Sequence, residues 1–326
     1  MADYKAIKGH TIQTVAGDPG TIVDGLIWYD SVAKKIQGSK TAAGSWATGG
    51  NLNTGREYVA GVGIQTAALA VCGTTSPGSI DSVESYNGSS WTEIADTNTA
   101  RGTASMNGDG TQTAAIVGGG AAPGGTTGNT ETWNGTAWTE VGDLNTAKDQ
   151  HAGSSEGTTA ASLVFGGGSP SPNTATAEVY NGTSWTEVAD LNTSRERLSG
   201  CGTSTAALAI DGAVVPGAGA TQATESWNGT AWTEVNDTST VHYWGAAFGN
   251  TAGALVAGAY PAATHTDEWN GTTWSEAAAF STSRVLHNAG TGGPGVEGGL
   301  IIGGVPVSAV TEEWTKATAA VTFTSS

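Results

Sequence analysis

The sequence has few positive charges. Only 12 of its 326 residues are Lys or Arg, against 29 Asp or Glu, so the formal net charge is −17. Proteins that bind nucleic acid neutralise phosphates with clustered Lys and Arg, and this charge balance therefore argues against a nucleic-acid partner. Charged residues make up 13% of the chain, against about a quarter in an average globular protein. That low fraction fits a protein of many short strands and tight turns.

Cysteines and long apolar runs are also scarce. The chain contains repeated units, described below, and the two cysteines, Cys72 and Cys201, fall at non-equivalent positions in their repeats. We therefore expect buried free thiols rather than a disulfide framework. No apolar run approaches the length of a membrane span, and the N-terminus lacks the apolar core of a signal peptide. We therefore expect synthesis in a cytoplasm without Sec export, and no membrane insertion.

The sequence is rich in glycine, with 50 residues, and carries a repeat of about 45 residues. Each copy closes with an aromatic residue, then Asn-Gly, then a tryptophan five positions after the aromatic. The aromatics are Tyr86, Trp133, Tyr180, Trp227 and Trp269, and the tryptophans are Trp91, Trp138, Trp185, Trp232 and Trp274. The steps between these tryptophans are 47, 47, 47 and 42 residues. A period in this range is typical of repeat architectures.

Residues 98–143 show what one repeat contains. The apolar run 113–117 stops at a triple glycine, which predicts a short buried strand. The Asn134-Gly135 pair between two strand-like runs predicts a β-hairpin with a type I′ turn, in which both residues take positive φ. One repeat is thus expected to form four short antiparallel strands, A to D from the inside outward. Such units bury their faces by stacking radially.

The repeats resemble those of kelch β-propellers, in which an apolar run ends in a double glycine, a Tyr and a Trp follow, and an Arg opens the next repeat. The matching glycine pairs are Val117-Gly118-Gly119, Phe165-Gly166-Gly167 and Ile302-Gly303-Gly304. The matching arginines are Arg56, Arg101, Arg195 and Arg284. The resemblance covers about 54–314, with Lys148 and Val241 in place of two arginines. It implies an all-β fold of propeller type.

The A-strand openings, the C-strand aromatics and the D-strand tryptophans each number six, which predicts six blades. Trp46 precedes Arg56 at the spacing by which Trp91 precedes Arg101, so it is the D-strand tryptophan of a sixth blade whose A, B and C strands lie at 284–314. The N- and C-terminal parts of the chain would then close the ring together, as a velcro closure. The strand predicted at 319–324 is the alternative D strand of that blade.

The predicted domains are accordingly an N-terminal arm at 1–45 and a propeller at 46–326. Residues 25–37 of the arm read as a β-hairpin. The arm would either dock on another protein or add a strand to the flank of the propeller.

Candidate binding residues stand at the openings of the A strands. Four of them are the arginines already named: Arg56, Arg101, Arg195 and Arg284. They would either clamp a ligand carboxylate at one mouth of the ring or hold carbonyls and acids between blades. His151 and His287, each three residues after an opening, would line the channel or form a metal or ligand site there. Two histidines fall short of the three or four ligands of a structural metal site. We predict no catalytic residue, no cofactor and no metal ligand.

Segments 25–35 and 46–56, followed by Ala/Thr/Gly-rich repeats, resemble kelch-type proteins of tailed bacteriophages, especially marine ones. This resemblance implies a non-enzymatic virion protein of a tail fibre, tail tip or other appendage. Residues 1–45 would attach it to other virion proteins, and it would form a homo-oligomer in the particle. A propeller face would meet a neighbour or a host-surface glycan, with specificity in the loops 74–81, 121–129 and 168–175. The alternatives are a glycan-binding lectin and a sialidase-like or lyase-like enzyme that uses the propeller mouth.

Overall fold

The computed structural model describes residues 13–17, 19, 26–76, 78–102, 107–168, 174–214, 219–258, 260, 264–286, 290–293 and 295–322. Every regular element within these ranges is a β-strand, so the chain is all-β as predicted. No helix in the described part of the chain is long and apolar enough to cross a membrane. The chain divides into two compact units, one of Met1–Gly44 with Lys316–Ser326 and one of Ser45–Thr315.

The first unit contains one four-stranded sheet. Its strands, in sheet order, are β1 (Gln13–Val15), β2 (Ile27–Asp30), β3 (Lys35–Thr41) and β32 (Thr318–Thr322). β1 and β2 are parallel, and the other neighbours are antiparallel. β2 and β3 form the hairpin predicted at 25–37. Its turn is held by Asp30, whose Oδ1 accepts hydrogen bonds from the backbone N–H groups of Val32 and Ala33.

The C-terminal strand differs from the sequence-based expectation. The sequence left 319–324 as an alternative D strand of the last blade and grouped it with 46–326. In the structure β32 pairs with β3, with Gly38 opposite Val321, and this pairing places the end of the chain in the first unit. Backbone pairing decides the assignment, because an alternating Ala/Thr/Val strand fits the edge of many sheets.

The second unit contains six four-stranded antiparallel sheets, which we number along the chain. Sheet 1 holds β5 (Ala60–Ile64), β6 (Ala67–Thr74), β7 (Ser79–Tyr86) and β8 (Trp91–Ile94). Sheet 2 holds β9 (Asn107–Thr111), β10 (Ala114–Gly118), β13 (Thr130–Trp133) and β14 (Trp138–Val141), with a ribbon of β11 (Ala121–Ala122) and β12 (Gly125–Thr126). Sheet 3 holds β15 (Ala152–Gly153), β16 (Ser162–Phe165), β17 (Ala177–Tyr180) and β18 (Trp185–Val188).

The remaining three sheets repeat this order. Sheet 4 holds β19 (Ser199–Thr203), β20 (Ala206–Ile210), β23 (Thr224–Trp227) and β24 (Trp232–Val235), with a ribbon of β21 (Ala213–Val214) and β22 (Gly219–Ala220). Sheet 5 holds β25 (Ala246–Asn250), β26 (Gly253–Ala257), β27 (Thr266–Trp269) and β28 (Trp274–Glu276). Sheet 6 holds β29 (Gly290–Gly292), β30 (Gly298–Ile302), β31 (Thr311–Thr315) and β4 (Ser45–Thr48). In sheet 6 the fourth strand comes from the other end of the unit, and Trp46 lies opposite Trp314.

The Asn-Gly hairpins form at every predicted position, but their turns are not type I′. Trp133 pairs with Trp138, which leaves a four-residue loop, and Oδ1 of Asn134 accepts hydrogen bonds from the N–H groups two and three residues later, each at 2.9 Å. The positive φ is at the glycine of each turn: Gly88 88°, Gly135 91°, Gly182 91°, Gly229 89° and Gly271 89°. The asparagine itself keeps a negative φ, because its side chain caps the loop.

The D-strand tryptophans join neighbouring sheets. Nε1 of Trp185 in sheet 3 donates to Oγ1 of Thr130 in sheet 2, at 3.0 Å. The same contact joins sheets 1 and 6, where Nε1 of Trp91 donates to Oγ1 of Thr311 at 3.0 Å. An indole N–H needs a hydrogen-bond partner when its ring is buried. These contacts therefore join sheet 3 to sheet 2 and sheet 1 to sheet 6.

The A strands approach one another closely. A Cβ added to Gly61 in sheet 1 would lie 2.9 Å from the carbonyl oxygen of Gly290 in sheet 6, and one added to Gly200 would lie 2.5 Å from that of Gly153. Only a residue without a side chain fits such a contact. The glycines at these two positions of the A strands are therefore required by packing.

Candidate functional site

A buried cation–carboxylate pair recurs in all six sheets. The cation precedes the A strand, and the carboxylate lies on the C strand two residues before its aromatic. The closest N–O distances are Arg56–Glu84 2.6 Å, Arg101–Glu131 2.6 Å, Lys148–Glu178 3.6 Å, Arg195–Glu225 2.8 Å, His242–Asp267 3.1 Å and Arg284–Glu312 3.2 Å. Both partners of every pair are buried.

Sheet 1 shows what such a pair does. The carboxylate of Glu84 accepts hydrogen bonds from the backbone N–H and the side-chain amide of Asn53, at 2.7 and 2.9 Å, and from the N–H of Thr54 at 3.1 Å. The guanidinium of Arg56 donates to Glu84 and to the carbonyl oxygen of Ser82. Burial lowers the pKa of Arg56, and the charge of Glu84 opposes that shift. The pair thus anchors the segment that leads into the A strand.

These contacts bear on the predicted binding role of the arginines. The structure buries Arg56, Arg101, Arg195 and Arg284, and each donates to the carboxylate and carbonyl groups of its own sheet. They are not presented to solvent as a carboxylate clamp. The contacts correspond to the alternative reading, in which the arginines hold internal carbonyls and acids, although they act within a sheet rather than between blades.

The fifth basic residue is His242. It lies 47 residues after Arg195, and its Nδ1 is 3.2 Å from the carbonyl oxygen of Gly258, 16 residues later. Arg195 makes the same contact with the carbonyl oxygen of Asp211, also 16 residues later. The sequence analysis placed Val241 at the arginine position of this repeat, which was wrong by one residue. The arginine position is defined by the hydrogen bond to the carbonyl at the end of the B strand, and the neighbouring residues do not reveal it.

The two histidines predicted in the channel have different outcomes. His151 is buried, and burial together with the charge of Lys148 lowers its pKa to about 3. Its ring is therefore neutral at neutral pH. His287 lies outside the described residues. The predicted channel lining or site formed by the two histidines therefore stays a prediction.

Two residues after the cation, the backbone is left-handed in four sheets. These residues are Tyr58 (φ 57°), Gln150 (51°), Arg197 (58°) and Trp244 (62°). Bulky residues seldom adopt this conformation, and backbone strain of this kind concentrates at functional sites. Hydrogen bonds between sheets hold it: the N–H of Arg197 donates to the carbonyl oxygen of Gln150, and the N–H of Trp244 donates to that of Arg197, each at 2.8 Å. We call this end of the sheets, where A strands begin and B strands end, the upper face.

The upper face carries a cluster of aromatic rings around one arginine. The guanidinium carbon of Arg197 lies 4.6 Å from the ring centroid of Trp244. The ring of Tyr243 lies 5.6 Å from that of Trp244 and 5.6 Å from that of Tyr260. Tyr260 is 57% exposed, and the other three are partly exposed. We call these four residues the upper cluster.

Arg197 is the electrostatic centre of this region. Its Nε donates to Oε1 of Gln150 at 2.7 Å. Burial raises the pKa of Tyr58, the charge of Glu57 adds to that shift, and Arg197 opposes it. Burial also raises the pKa of Asp149, which Arg197 likewise opposes. One guanidinium therefore acts on groups from sheets 1 and 3 as well as on its own sheet.

A groove of about 640 Å³ lies on the upper face. It is lined by Gly78, Ser79, Ala121, Ala122, Pro123, Gly125, Thr126 and Asp149. Oγ1 of Thr126 donates to Oδ2 of Asp149 at 2.9 Å, which ties the ribbon of sheet 2 to the start of sheet 3. The groove is formed by the loops 74–81 and 121–129, two of the three in which the sequence analysis expected specificity.

The chain matches no protein-family model and no curated protein. It does resemble solved structures, including one titled "Structure of YjhT", with a TM-score of 0.64 and 13% sequence identity over 82% of this chain and 99% of that chain. That structure is β-propeller-like. At this identity the similarity concerns the fold alone, and it supports a β-propeller-like fold for the repeated four-stranded sheets.

Sequence reasoning missed two features of this region. The buried carboxylates could have been found, because an acid stands two residues before the C-strand aromatic in every repeat. The left-handed positions could not, since Tyr58, Arg197 and Trp244 are residue types that do not favour positive φ. Hydrogen bonds between sheets impose that conformation, and the sequence of a single repeat does not contain them.

Proposed function

We propose that the second unit is a closed propeller of six blades, with β4 as the outer strand of the last blade. Three contacts between the two ends of this unit support the closure. Trp46 lies opposite Trp314 within sheet 6. Between sheets 1 and 6, Gln65 donates to the carbonyl oxygen of Trp314 at 3.0 Å, and Oγ1 of Thr291 donates to the carbonyl oxygen of Gly63 at 2.5 Å. A ring closed in this way leaves no sheet face exposed at its ends.

We further propose that the protein is a non-enzymatic binding module whose upper face recognises a glycan. The observation that carries this proposal is the strained, hydrogen-bonded presentation of Arg197 and Trp244 at positive φ. A protein keeps bulky side chains in that conformation where the surrounding structure dictates it, and such positions cluster at binding sites.

The chemistry of the upper cluster suits a sugar. Aromatic rings such as those of Trp244, Tyr243 and Tyr260 offer flat apolar surfaces with polar tips. The guanidinium of Arg197 offers several N–H donors in one plane, which suit hydroxyl and carboxylate oxygens. The upper face also carries a groove, a concave surface of the kind that ligands occupy; its lining residue Asp149 is next in sequence to Gln150, which accepts a hydrogen bond from Arg197.

The setting we propose is an appendage of a tailed bacteriophage particle, where the upper face meets the host surface. The support is the resemblance of segments 25–35 and 46–56 and of the Ala/Thr/Gly-rich repeats to phage kelch-type proteins. In this proposal residues 1–45 attach the chain to other virion proteins, and several copies assemble in the particle. Mass spectrometry and immunogold labelling of purified virions test it, and absence of the chain from particles would refute it.

Glycan binding is tested with an array of bacterial surface glycans. We expect wild-type protein to retain a defined set of glycans and Trp244→Ala to lose affinity at least about tenfold, the loss typical of a central aromatic anchor. Arg197→Met should weaken acidic glycans more than neutral ones, because it removes the charge and the planar donors.

The matched control is Thr230→Ala, an exposed residue on the Asn-Gly turn at the opposite end of sheet 4, which should bind as the wild type does. Equal losses in Thr230→Ala and Trp244→Ala would contradict the proposed site. Release of sugars from a bound glycan would instead indicate a carbohydrate-active enzyme and overturn the non-enzymatic proposal.

A further inference from the structure

Sheet 5 departs from the repeat at its buried pair. In the other five sheets a guanidinium or ammonium group faces the C-strand carboxylate, whereas in sheet 5 an imidazole does. A second imidazole, that of His265, lies beside it. The Nε2 atoms of His242 and His265 are 3.1 and 3.3 Å from the two carboxylate oxygens of Asp267. The hydroxyl of Ser239 lies 2.6 Å from Oδ1 of Asp267 and 3.3 Å from Nε2 of His265.

The hydrogen bonds of His242 restrict its protonation. Its Nδ1 faces the carbonyl oxygen of Gly258 at 3.2 Å. Its Nε2 faces Oδ2 of Asp267 at 3.1 Å. Both of these oxygens accept hydrogen bonds, whereas a neutral imidazole has one N–H to donate. Both contacts are favourable only if the ring carries two protons or if a cation lies between Nε2 and the carboxylate.

We propose that His242, His265 and Asp267 bind one divalent transition-metal ion of the zinc class, with the Ser239 hydroxyl or a water in the fourth position. Two imidazole nitrogens and one carboxylate oxygen are a common ligand set for Zn²⁺. The ion would take the place that a guanidinium or ammonium holds in the other five sheets. Its charge would balance the buried carboxylate and fix Ser239, in the segment that leads into sheet 5.

The geometry fits a small tetrahedral site. Zinc bonds of about 2.0–2.1 Å place neighbouring ligand atoms about 3.3 Å apart. One ligand atom from each of His242, His265 and Asp267 lies within 4.8 Å of the other two. Nε2 of His242 is 3.1 Å from Oδ2 of Asp267, and Nε2 of His265 is 3.3 Å from Oδ1, the other oxygen.

The surroundings of the three ligands also fit a metal site. Metal-binding histidines commonly donate their second ring N–H to a carbonyl or a carboxylate. Nδ1 of His242 lies 3.2 Å from the carbonyl oxygen of Gly258, within reach of such a bond, and Nδ1 of His265 lies 3.9 Å from Oε1 of Glu276, beyond hydrogen-bond distance. The side chain of His265 is 16% exposed and that of Glu276 is 75% exposed, which gives an ion a route from solvent.

The experiment uses the full chain without a histidine tag, stripped with EDTA and dialysed. We expect Co²⁺ to give the intense visible absorption bands of a tetrahedral site, Zn²⁺ to abolish them by displacement, and metal analysis to find one zinc per chain. Zinc should also raise the melting temperature of the wild type. His265→Ala should weaken binding by more than about 100-fold, since loss of an outer-shell partner alone costs about 10–100-fold.

The discriminating variant is His242→Arg, which restores the residue type of the other repeats. It should stay folded, bind no zinc and show no zinc-dependent rise in melting temperature. His10→Ala, which changes a histidine outside the cluster, should bind zinc as the wild type does. The proposal is overturned if the wild type binds no metal, or if His265→Ala or His242→Arg retains one zinc per chain. In the first case the cluster is a protonated imidazole–carboxylate pair.

Discussion

Replacing Arg101 with methionine tests whether the buried pairs stabilise the sheets that contain them. In the structure Nη2 of Arg101 lies 2.6 Å from Oε1 of Glu131, and neither side chain is exposed. Methionine keeps much of the side chain's apolar volume and removes the charge. Glu131 then remains as a buried carboxylate without a counter-charge.

The size of the loss follows from what Glu131 retains. Breaking a buried ion pair by removing one partner costs about 3–5 kcal/mol. Glu131 still accepts hydrogen bonds from the N–H and the side-chain amide of Asn98, at 2.7 and 2.8 Å, and from the N–H of Thr99 at 3.2 Å. Because these donors continue to solvate the carboxylate, we expect a loss near the lower end, about 3 kcal/mol.

The measurement is equilibrium urea unfolding followed by the fluorescence of the 12 tryptophans. Arg101→Lys is the matched control, because Lys148 already serves at the equivalent position in sheet 3, with Nζ 3.6 Å from Glu178. It keeps the charge and should lose only about 1 kcal/mol, the value of one or two ordinary hydrogen bonds. If Arg101→Met loses no more stability than Arg101→Lys, the buried charge pair does not stabilise the blade and the reasoning fails.

Three further predictions follow from burial. Trp46→Ala should destabilise the second unit by up to about 3 kcal/mol in urea unfolding, because the partly buried ring packs on Phe280 and Trp314 with centroids 6.0 and 5.3 Å away. An unchanged midpoint would argue against closure by β4. Glu156→Gln should flatten the pH dependence of the melting temperature. Burial, with the charge of Asp109, raises the pKa of Glu156 to about 7 from an ordinary 4.5. Its contribution is therefore fully present below about pH 4.5 and lost as pH rises through 7, and a variant as pH-sensitive as the wild type would contradict this. Both cysteines should resist thiol reagents in the native protein and react in denaturant, since burial raises their pKa values; rapid native labelling would show that the sheets open.

Several features of the fold could be predicted because their causes are local in sequence. The Asn-Gly hairpins depend on a side-chain cap within four residues, and each buried strand depends on a short apolar run bounded by turn residues. The predicted type I′ turn was wrong. An asparagine can either take positive φ or cap the loop with its side chain at negative φ, and its residue type alone does not show which of the two conformations forms.

The candidate sites were predictable only in part. The acid two residues before each C-strand aromatic was visible in the sequence, yet its pairing with the cation needed the register between strands. His242 was missed by one position, and His265 has no counterpart in the other repeats to mark it.

The sequence by itself determined that the chain is all-β, that its units repeat about every 45 residues and that each ends in an Asn-Gly hairpin. These properties follow from turn chemistry and apolar periodicity, which act between residues close along the chain. Only the tertiary structure decided between β4, the predicted fourth strand of sheet 6, and its C-terminal alternative, placed β32 in the first unit and brought Arg197 and Trp244 together at positive φ. Each depends on hydrogen bonds or packing between residues distant along the chain, and the residue types involved fit many partners equally well.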